Sequence, residues 1–148
     1  MSLHFRLASR DDVAAVVALL ADDPLGSTRE GTDLAPYLAA FDAMQSEGAN
    51  HLIVGCIGDE VIACYQITFI SGLSLKATLR AQIEGVRVAP AHRGRNIGGD
   101  MVHDAEARAR AAGCTLLQFT SNRARTDAHH FYERLGFTPS HIGYKKSL

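Results

Sequence analysis

The residues best suited to chemistry lie where an apolar, strand-like run ends at residues 86–88 and an arginine- and glycine-rich loop follows. A helical pattern begins directly after this loop. The first N–H groups of a helix carry partial positive charge and bind phosphate oxygens. Arginines in the loop add full charges, and glycines let an anion approach the backbone. The residues that could surround a bound phosphate are Arg93, Gly94, Arg95, Asn96, Ile97, Gly98 and Gly99.

Two familiar phosphate loops do not fit this segment. A P-loop requires Lys and then Ser or Thr after its last glycine, whereas Gly99 and Asp100 follow Gly98 here. The dinucleotide pattern Gly-x-Gly-x-x-Gly is absent as well. A tight strand-to-helix turn with solvated arginines is the simpler alternative, which the loop alone leaves open.

The composition describes the domain that must position these residues. The chain has 148 residues, is 47% hydrophobic and 21% charged, and carries a net charge of −1. This is typical of one globular domain without global attraction to nucleic acid or an anionic membrane. An odd number of cysteines at no metal-binding spacing argues against disulfides and zinc, so we expect core thiols and a reducing cytoplasm. Those cysteines are Cys56, Cys64 and Cys114.

The hydrophobic pattern predicts strands alternating with helices. Strands are expected at residues 3–7, 51–57, 61–70, 81–89, 114–120 and 137–145, and helices at about 10–21, 34–46, 97–112 and 126–135. Residues 25–32 and 71–76 are expected to be loops. This order predicts an α/β fold with one parallel crossover, and a single domain over residues 1–148.

Two motifs resemble the GNAT superfamily of N-acetyltransferases. The segment from Arg93 to Gly98 resembles its acyl-CoA loop, with Asn96 in place of the middle glycine. Asparagine tolerates left-handed backbone better than most residues. Residues 131–137, Phe-Tyr-Glu-Arg-Leu-Gly-Phe, resemble the closing motif of that superfamily. Within the superfamily, residues 93–98, 121–122, 125, 127–129, 131–132 and 140–141 resemble those of bacterial aminoalkylphosphonate N-acetyltransferases, and they are also similar to those of members without an assigned substrate.

The resemblance implies a mixed sheet of about six to seven strands, splayed at a cofactor cleft, with about four helices. It also implies acetyl-CoA as co-substrate. The pantetheine arm would pair with the strand formed by Val86, Arg87 and Val88, and the pyrophosphate would lie on residues 93–99. Asn122 would bind the arm where the strands splay, although an asparagine that only forms a turn is the alternative.

Acetylation of an amine needs two catalytic roles: a base, for which the strand pattern offers a candidate, and an acid, for which the resemblance implies one. An acceptor amine has a pKa of about 10.4 and must lose a proton, for which Glu84 is the candidate base. Strand alternation predicts that Glu84 shares a face with the valines at 86 and 88, and Gly85 suggests a bulge. Pairing of Glu84 with Arg87 or Arg80 is the alternative. Tyr132 is the candidate acid for the CoA thiolate, unless its ring only packs in the core.

The acceptor is expected to be a small-molecule amine, attacking directly in a ternary complex. Its binding residues are expected in the 25–32 segment, in the second predicted helix and in the 71–80 segment. Within the last of these, Lys76 and Arg80 would meet an anionic acceptor or be solvated. An acyl-CoA sensor without activity and acetylation of a protein amine remain alternatives. No nucleic acid or membrane partner is expected, and a homodimer is compatible with a domain this small.

A divalent metal remains an option that the sequence does not predict. His129 and Glu133 have the i,i+4 spacing of a metal pair, but the residues on this helix are equally suited to a solvent-facing side. His103 and Asp104 are expected to be plain surface residues.

Overall fold

The computed structural model of the chain describes residues 2–22 and 26–148. These residues form two compact units, divided between Gln118 and Phe119. The first unit contains β1 (Leu3–Leu7), α1 (Val13–Ala21), α2 (Gly26–Arg29), α3 (Ala35–Glu47), β2 (Asn50–Ile57), β3 (Glu60–Ile70), α4 (Ser74–Ala77), β4 (Arg80–Val88), α5 (Ile97–Ala111) and β5 (Leu116–Gln118). The second unit contains α6 (Thr126–Arg134).

The five strands form one sheet in the order β1-β2-β3-β4-β5. Strands β1 to β4 pair antiparallel, whereas β4 and β5 pair in parallel. Helix α5 connects this parallel pair, because parallel neighbours require a crossover. The α/β class, the mixed sheet and the hairpin of β2 and β3 are therefore confirmed.

Helices cover both faces of the sheet in the first unit. On one side, which we call the α1 face, Cys64 packs in a cluster with Val16 of α1 and Phe41 of α3. On the opposite α5 face, the hydroxyl of Tyr65 donates a hydrogen bond to Asp104 of α5. From Ala63 onward, past a register shift against β2, side chains alternate along β3, so these two contacts assign each of those residues to one face.

The sheet has fewer strands than the six to seven expected. Residues 137–145 form no strand, and β5 has three residues instead of seven. The apolar side chains that suggested the last strand include Ile142 and Tyr144, which are 73% and 89% exposed. A strand without a buried face has little to stabilise it. The four helices of nine or more residues in the described chain match the expected number.

Two expected loops contain short turns of helix. Residues 26–29 form α2, while Asp23, Pro24 and Leu25 lie outside the described residues. In α4, Leu75, Lys76 and Ala77 all have positive φ angles, of 53°, 59° and 60°. Left-handed backbone is costly for residues with a Cβ atom, so this exposed turn carries strain.

The three cysteines are buried and free, as expected of core thiols. Burial raises the pKa of each, in the case of Cys64 to about 12. No helix in the described part of the chain is long and apolar enough to span a membrane.

Candidate functional site

A bulge interrupts β4 beside Glu84. Cys64 of β3 pairs with Arg87, and Gln66 pairs with Glu84, so two β4 residues oppose the single residue Tyr65. Gly85 occupies the bulge with a φ of +59°, and the Cys64 thiol lies 3.6 Å from its carbonyl oxygen. A residue with a Cβ atom would be strained at this angle. The bulge predicted from Gly85 is confirmed.

The extra residue changes which side chains share a face. Directly opposite residues point to the same side, so Glu84 lies on the α1 face with Gln66, and Arg87 lies there with Cys64. Val88 pairs with Ala63 and lies on the α5 face. The prediction that Glu84 shares a face with Val86 and Val88 is therefore wrong, because simple alternation does not count the inserted residue.

The predicted phosphate loop follows β4 directly. Its start is fixed by Ala89, whose N–H donates to the carbonyl of Ile62, and by a turn of 3-10 helix at Pro90–His92. Arg93 Nε donates to the carbonyl of Val88 at 3.2 Å. Arg95 lies against His92, with 3.4 Å between its Nη1 and the His92 Nδ1. Both arginines are exposed, and Arg93 also ties the loop to the end of β4.

The loop ends at Asn96, which caps α5 in the left-handed conformation with φ 58° and ψ 24°. Its amide side chain lies over Gly99, where a Cβ atom would be 2.5 Å from Asn96 Oδ1. Asp100 is the first residue whose N–H bonds back into the helix, to the carbonyl of Asn96. The N–H groups of Ile97, Gly98 and Gly99 therefore precede the helical ladder. Such N–H groups at the start of a helix suit a phosphate.

A buried polar network joins α5 to the sheet opposite the bulge. Tyr65 is 1% exposed, and its hydroxyl lies 2.6 Å from Asp104 Oδ2. Arg108 Nε donates to the same oxygen at 2.8 Å. Burial, and then the bond to Asp104, raises the pKa of Tyr65 far above its usual value. The expectation that Asp104 is a plain surface residue is wrong, because its carboxylate accepts hydrogen bonds from the buried Tyr65 and from Arg108.

In the second unit, Tyr132 belongs to an aromatic cluster. Its ring centroid lies 4.2 Å from that of Phe119, 5.1 Å from that of Phe131 and 6.0 Å from that of Phe137. Phe119 and Phe137 also meet edge to face at 4.8 Å. Such tilted arrangements are favourable for aromatic rings, so the cluster holds the half-buried tyrosine in place.

Asn122 organises the turn before α6. Its side-chain oxygen accepts from Ala124 N–H at 2.9 Å, and its carbonyl accepts from Arg125 N–H. The His129 ring nitrogen Nε2 also lies 2.9 Å from this carbonyl. The turn-forming role considered for Asn122 is therefore present.

The histidines of α6 have protein partners of their own. His129 meets the Asn122 carbonyl, and His130 lies 4.0 Å from Glu133. Within residues 2–22 and 26–148, no three side chains of His, Cys, Asp or Glu come together as a metal site.

A mixed sheet with a bulged strand, followed by a glycine-bearing loop at a helix start, fits an acyl-CoA-dependent transferase. The chain belongs to the Acetyltransferase (GNAT) family, whose model matches residues 13–137. It is an N-acetyltransferase.

Three individual proteins are similar to this chain over nearly its whole length. The chain is 40% identical over 145 residues to the aminoalkylphosphonate N-acetyltransferase of Salmonella typhimurium, covering 98% of this chain and 91% of the relative. A crystal structure described as a transcriptional regulator from Bacillus halodurans is 40% identical, with a TM-score of 0.95, and the match covers 99% of this chain and 100% of that one. Glucosamine-6-phosphate N-acetyltransferase from Arabidopsis thaliana shares the fold, with a TM-score of 0.81 at 17% identity and 99% coverage of both chains.

Proposed function

We propose that the protein transfers an acetyl group from acetyl-CoA to the primary amine of a small aminoalkylphosphonate, by direct attack in a ternary complex. The exposed carboxylate of Glu84 carries this proposal, because it stands beside the bulge at Gly85, on the strand that leads directly into the phosphate cradle. The 40% identity to an aminoalkylphosphonate N-acetyltransferase supports the choice of acceptor.

The cofactor would be held mainly by backbone groups. Val86, Arg87 and Val88 would pair with the pantetheine arm in the manner of an added strand. The pyrophosphate would accept from the N–H groups at the start of α5, with Arg93 and Arg95 supplying positive charge. The residues of this cradle are Arg93, Gly94, Arg95, Asn96, Ile97, Gly98 and Gly99. In Asn122, Oδ1 is engaged in its own turn, which leaves the amide nitrogen as the group to bind the arm.

Glu84 would accept the proton that the acceptor ammonium must lose. The amine then attacks the thioester carbon, the C–N bond forms, and the C–S bond breaks. Tyr132 would donate a proton to the departing sulfur. Its aromatic neighbours support this role, because they hold the ring in one position although Tyr132 is only half-buried. No acyl-enzyme is required, and the buried cysteines fit a direct transfer.

We also propose that the whole chain acts as one catalytic domain in the cytoplasm. Buried thiols without a disulfide suit a reducing compartment. Neither a divalent metal nor a homodimer is required by this mechanism.

An acyl-CoA sensor without activity and an acetyltransferase of protein amines are the alternatives. A thiol-release assay with acetyl-CoA separates them, using aminomethylphosphonate, 2-aminoethylphosphonate, neutral amines and an amine-bearing peptide as acceptors. We expect release with the phosphonates at the highest kcat/KM. If none of these acceptors causes thiol release, the protein would be a sensor. A preference for the peptide would indicate a protein substrate.

The role of Tyr132 is tested with Tyr132→Phe, which keeps the aromatic packing. We expect kcat to fall by about 10- to 100-fold, with KM for acetyl-CoA retained. Tyr144→Phe is the matched control, because Tyr144 is 89% exposed. Unchanged kcat in Tyr132→Phe between about pH 6 and pH 9 would remove tyrosine from the mechanism.

A further inference from the structure

The α1 face of the sheet becomes polar around Glu84. Pairing along the strands places Gln66 beside Glu84, Thr68 beside Gln82, and Gln82 beside Gln118 of β5. The directly opposite residues share this face. All but the exposed Glu84 are half-buried, and all but Glu84 are uncharged. We call Gln66, Thr68, Gln82 and Gln118 the amide row.

The amide row differs from an ordinary solvated sheet face. Solvated faces are typically rich in Lys and Glu, whereas neutral amides here bond to one another over half-buried backbone. Gln118 Nε2 donates to Gln82 Oε1 at 3.0 Å. Gln66 Nε2 donates to Asn50 Oδ1 at 2.8 Å.

These two hydrogen bonds orient the amides in opposite senses. Because Gln82 accepts through its oxygen, its Nε2 protons are directed to other acceptors. Gln66 donates through its nitrogen, so its Oε1 serves as an acceptor beside Glu84. Beside Glu84 the surface therefore presents oxygen atoms, which suit a cation. At Gln82, two residues earlier on the same strand, it presents N–H groups, which suit an anion.

We propose that Gln82 binds the oxyanion of the acceptor while its amine lies at Glu84 and Gln66. This inference rests on the proposed function and deepens it by assigning the specificity of the acceptor site. Same-face residues on a strand are about 6.6–6.8 Å apart, which suits an amine and an oxyanion separated by one or two carbons. The acceptor class is a short zwitterion, and longer spacers would overshoot Gln82.

The cations anticipated from the sequence are less suited to this contact. Lys76 is exposed in the strained α4 turn. Arg80 lies on the correct face, four residues before Glu84, but its Nη1 lies 3.3 Å from the Cβ position of Gly72, beyond the end of β3. A neutral donor at Gln82 stands closer to the base than either cation along the chain.

The test compares two acceptors of equal length, 2-aminoethylphosphonate and ethanolamine, which has a hydroxyl in place of the phosphonate. In Gln82→Leu we expect the KM for the phosphonate to rise by about 10- to 100-fold, as for the loss of a hydrogen bond to a charged group. The KM values for ethanolamine and acetyl-CoA are expected to stay within about twofold. Gln82→Glu should raise the phosphonate KM further by repelling the anion. Gln45→Leu, at an exposed site on α3, is the matched control.

Binding of 2-aminoethylphosphonate by calorimetry separates this proposal from the proposed function. If the wild type acetylates no amine, the proposed function fails. The inference would still be retained if the wild type binds 2-aminoethylphosphonate and Gln82→Leu does not. Equal changes for both acceptors, no change for either, or no phosphonate binding by the wild type would overturn it. Equal activity on 4-aminobutylphosphonate and 2-aminoethylphosphonate would overturn the length argument.

Discussion

The two faces of the sheet differ most where β3 meets β4. On the α5 face, Ile67, Ala81 and Ile83 are at most 2% exposed, and the polar group of Tyr65 is fully engaged by α5. On the α1 face, the same strands present Gln66, Gln82 and Glu84, which are half-buried or exposed. Strand β4 therefore serves two purposes. Before the bulge, its odd-numbered residues stabilise the sheet, and its even-numbered residues are available for chemistry.

A stable strand can carry a reactive side chain when its other face is packed. The packing of Ile83 fixes the backbone position of Glu84, although the two side chains lie on opposite faces of the sheet. The bulge at Gly85 then exchanges the faces of the following residues, so the strand enters the phosphate loop with a changed register. Mutations at neighbouring positions should consequently have separable effects on turnover and stability.

The largest effect is expected from Glu84→Gln on the α1 face. The substitution keeps the shape of the side chain but removes its basicity, so kcat should fall by about 10²- to 10⁴-fold. The melting temperature should not change, because Glu84 is exposed. Steady-state kinetics with Glu60→Gln, also exposed on a strand, provide the control. A kcat equal to that of the wild type would show that Glu84 is not the base.

The neighbouring substitution Ile83→Ala should have the opposite profile. Ile83 is 2% exposed, and its truncation leaves a cavity on the α5 face. We expect a loss of about 2–5 kcal/mol in the free energy of unfolding, measured in urea. The kcat of the folded enzyme should stay within about twofold. A fall in kcat as large as that of Glu84→Gln would mean that the faces are not functionally separate.

Substitutions of Gly85 should affect both stability and turnover, because the bulge lies between the packed residue Ile83 and the loop that follows β4. At φ +59°, alanine should cost about 1–2 kcal/mol of stability and lower kcat by displacing Glu84. Gly85→Asn should retain more stability and activity, because asparagine tolerates this backbone region better. The two variants are compared by urea unfolding and steady-state kinetics. Equal behaviour of the two variants would contradict a role for the left-handed backbone.

Much of this arrangement could be predicted from sequence, because it depends on local patterns. Four strands and four helices followed from periodicity and glycine positions, and Gly85 indicated the bulge. The face of Glu84 was predicted wrongly, since alternation carries no information about which strand holds an inserted residue. The pairs Gln82–Gln118 and Tyr65–Asp104 were missed because they join segments 36 and 39 residues apart.

Alternation could have revealed the amide row. Polar residues recur with a period of two at 66 and 68 and again at 82 and 84, beside buried isoleucines at 67 and 83. That pattern predicts one polar and one apolar face for each strand. The partnership of the two strands, and hence a continuous polar surface, requires the register of the sheet.

Tyr65→Phe tests the polar network of the α5 face. The hydroxyl bond to Asp104 is lost, but Arg108 still pairs with that carboxylate, so we expect a cost of about 1–1.5 kcal/mol. Burial raises the folded-state pKa of Tyr65 above the unfolded value of about 10. Its contribution is therefore complete below about pH 10 and is lost as the pH rises further. Urea unfolding at neutral and high pH should show a smaller pH dependence in the variant, whereas an identical dependence would exclude Tyr65 as its source.

The smallest effect is expected at a site on neither face. Lys76 lies in the left-handed α4 turn that joins β3 to β4, so glycine there should relieve strain. The greater freedom of glycine in the unfolded chain offsets part of this gain, and Lys76→Gly should stabilise the protein by at most about 1 kcal/mol. Lys76→Ala removes the same side chain but retains the Cβ atom, and should give no gain. If thermal unfolding shows Lys76→Gly to be less stable than Lys76→Ala, the turn is not strained.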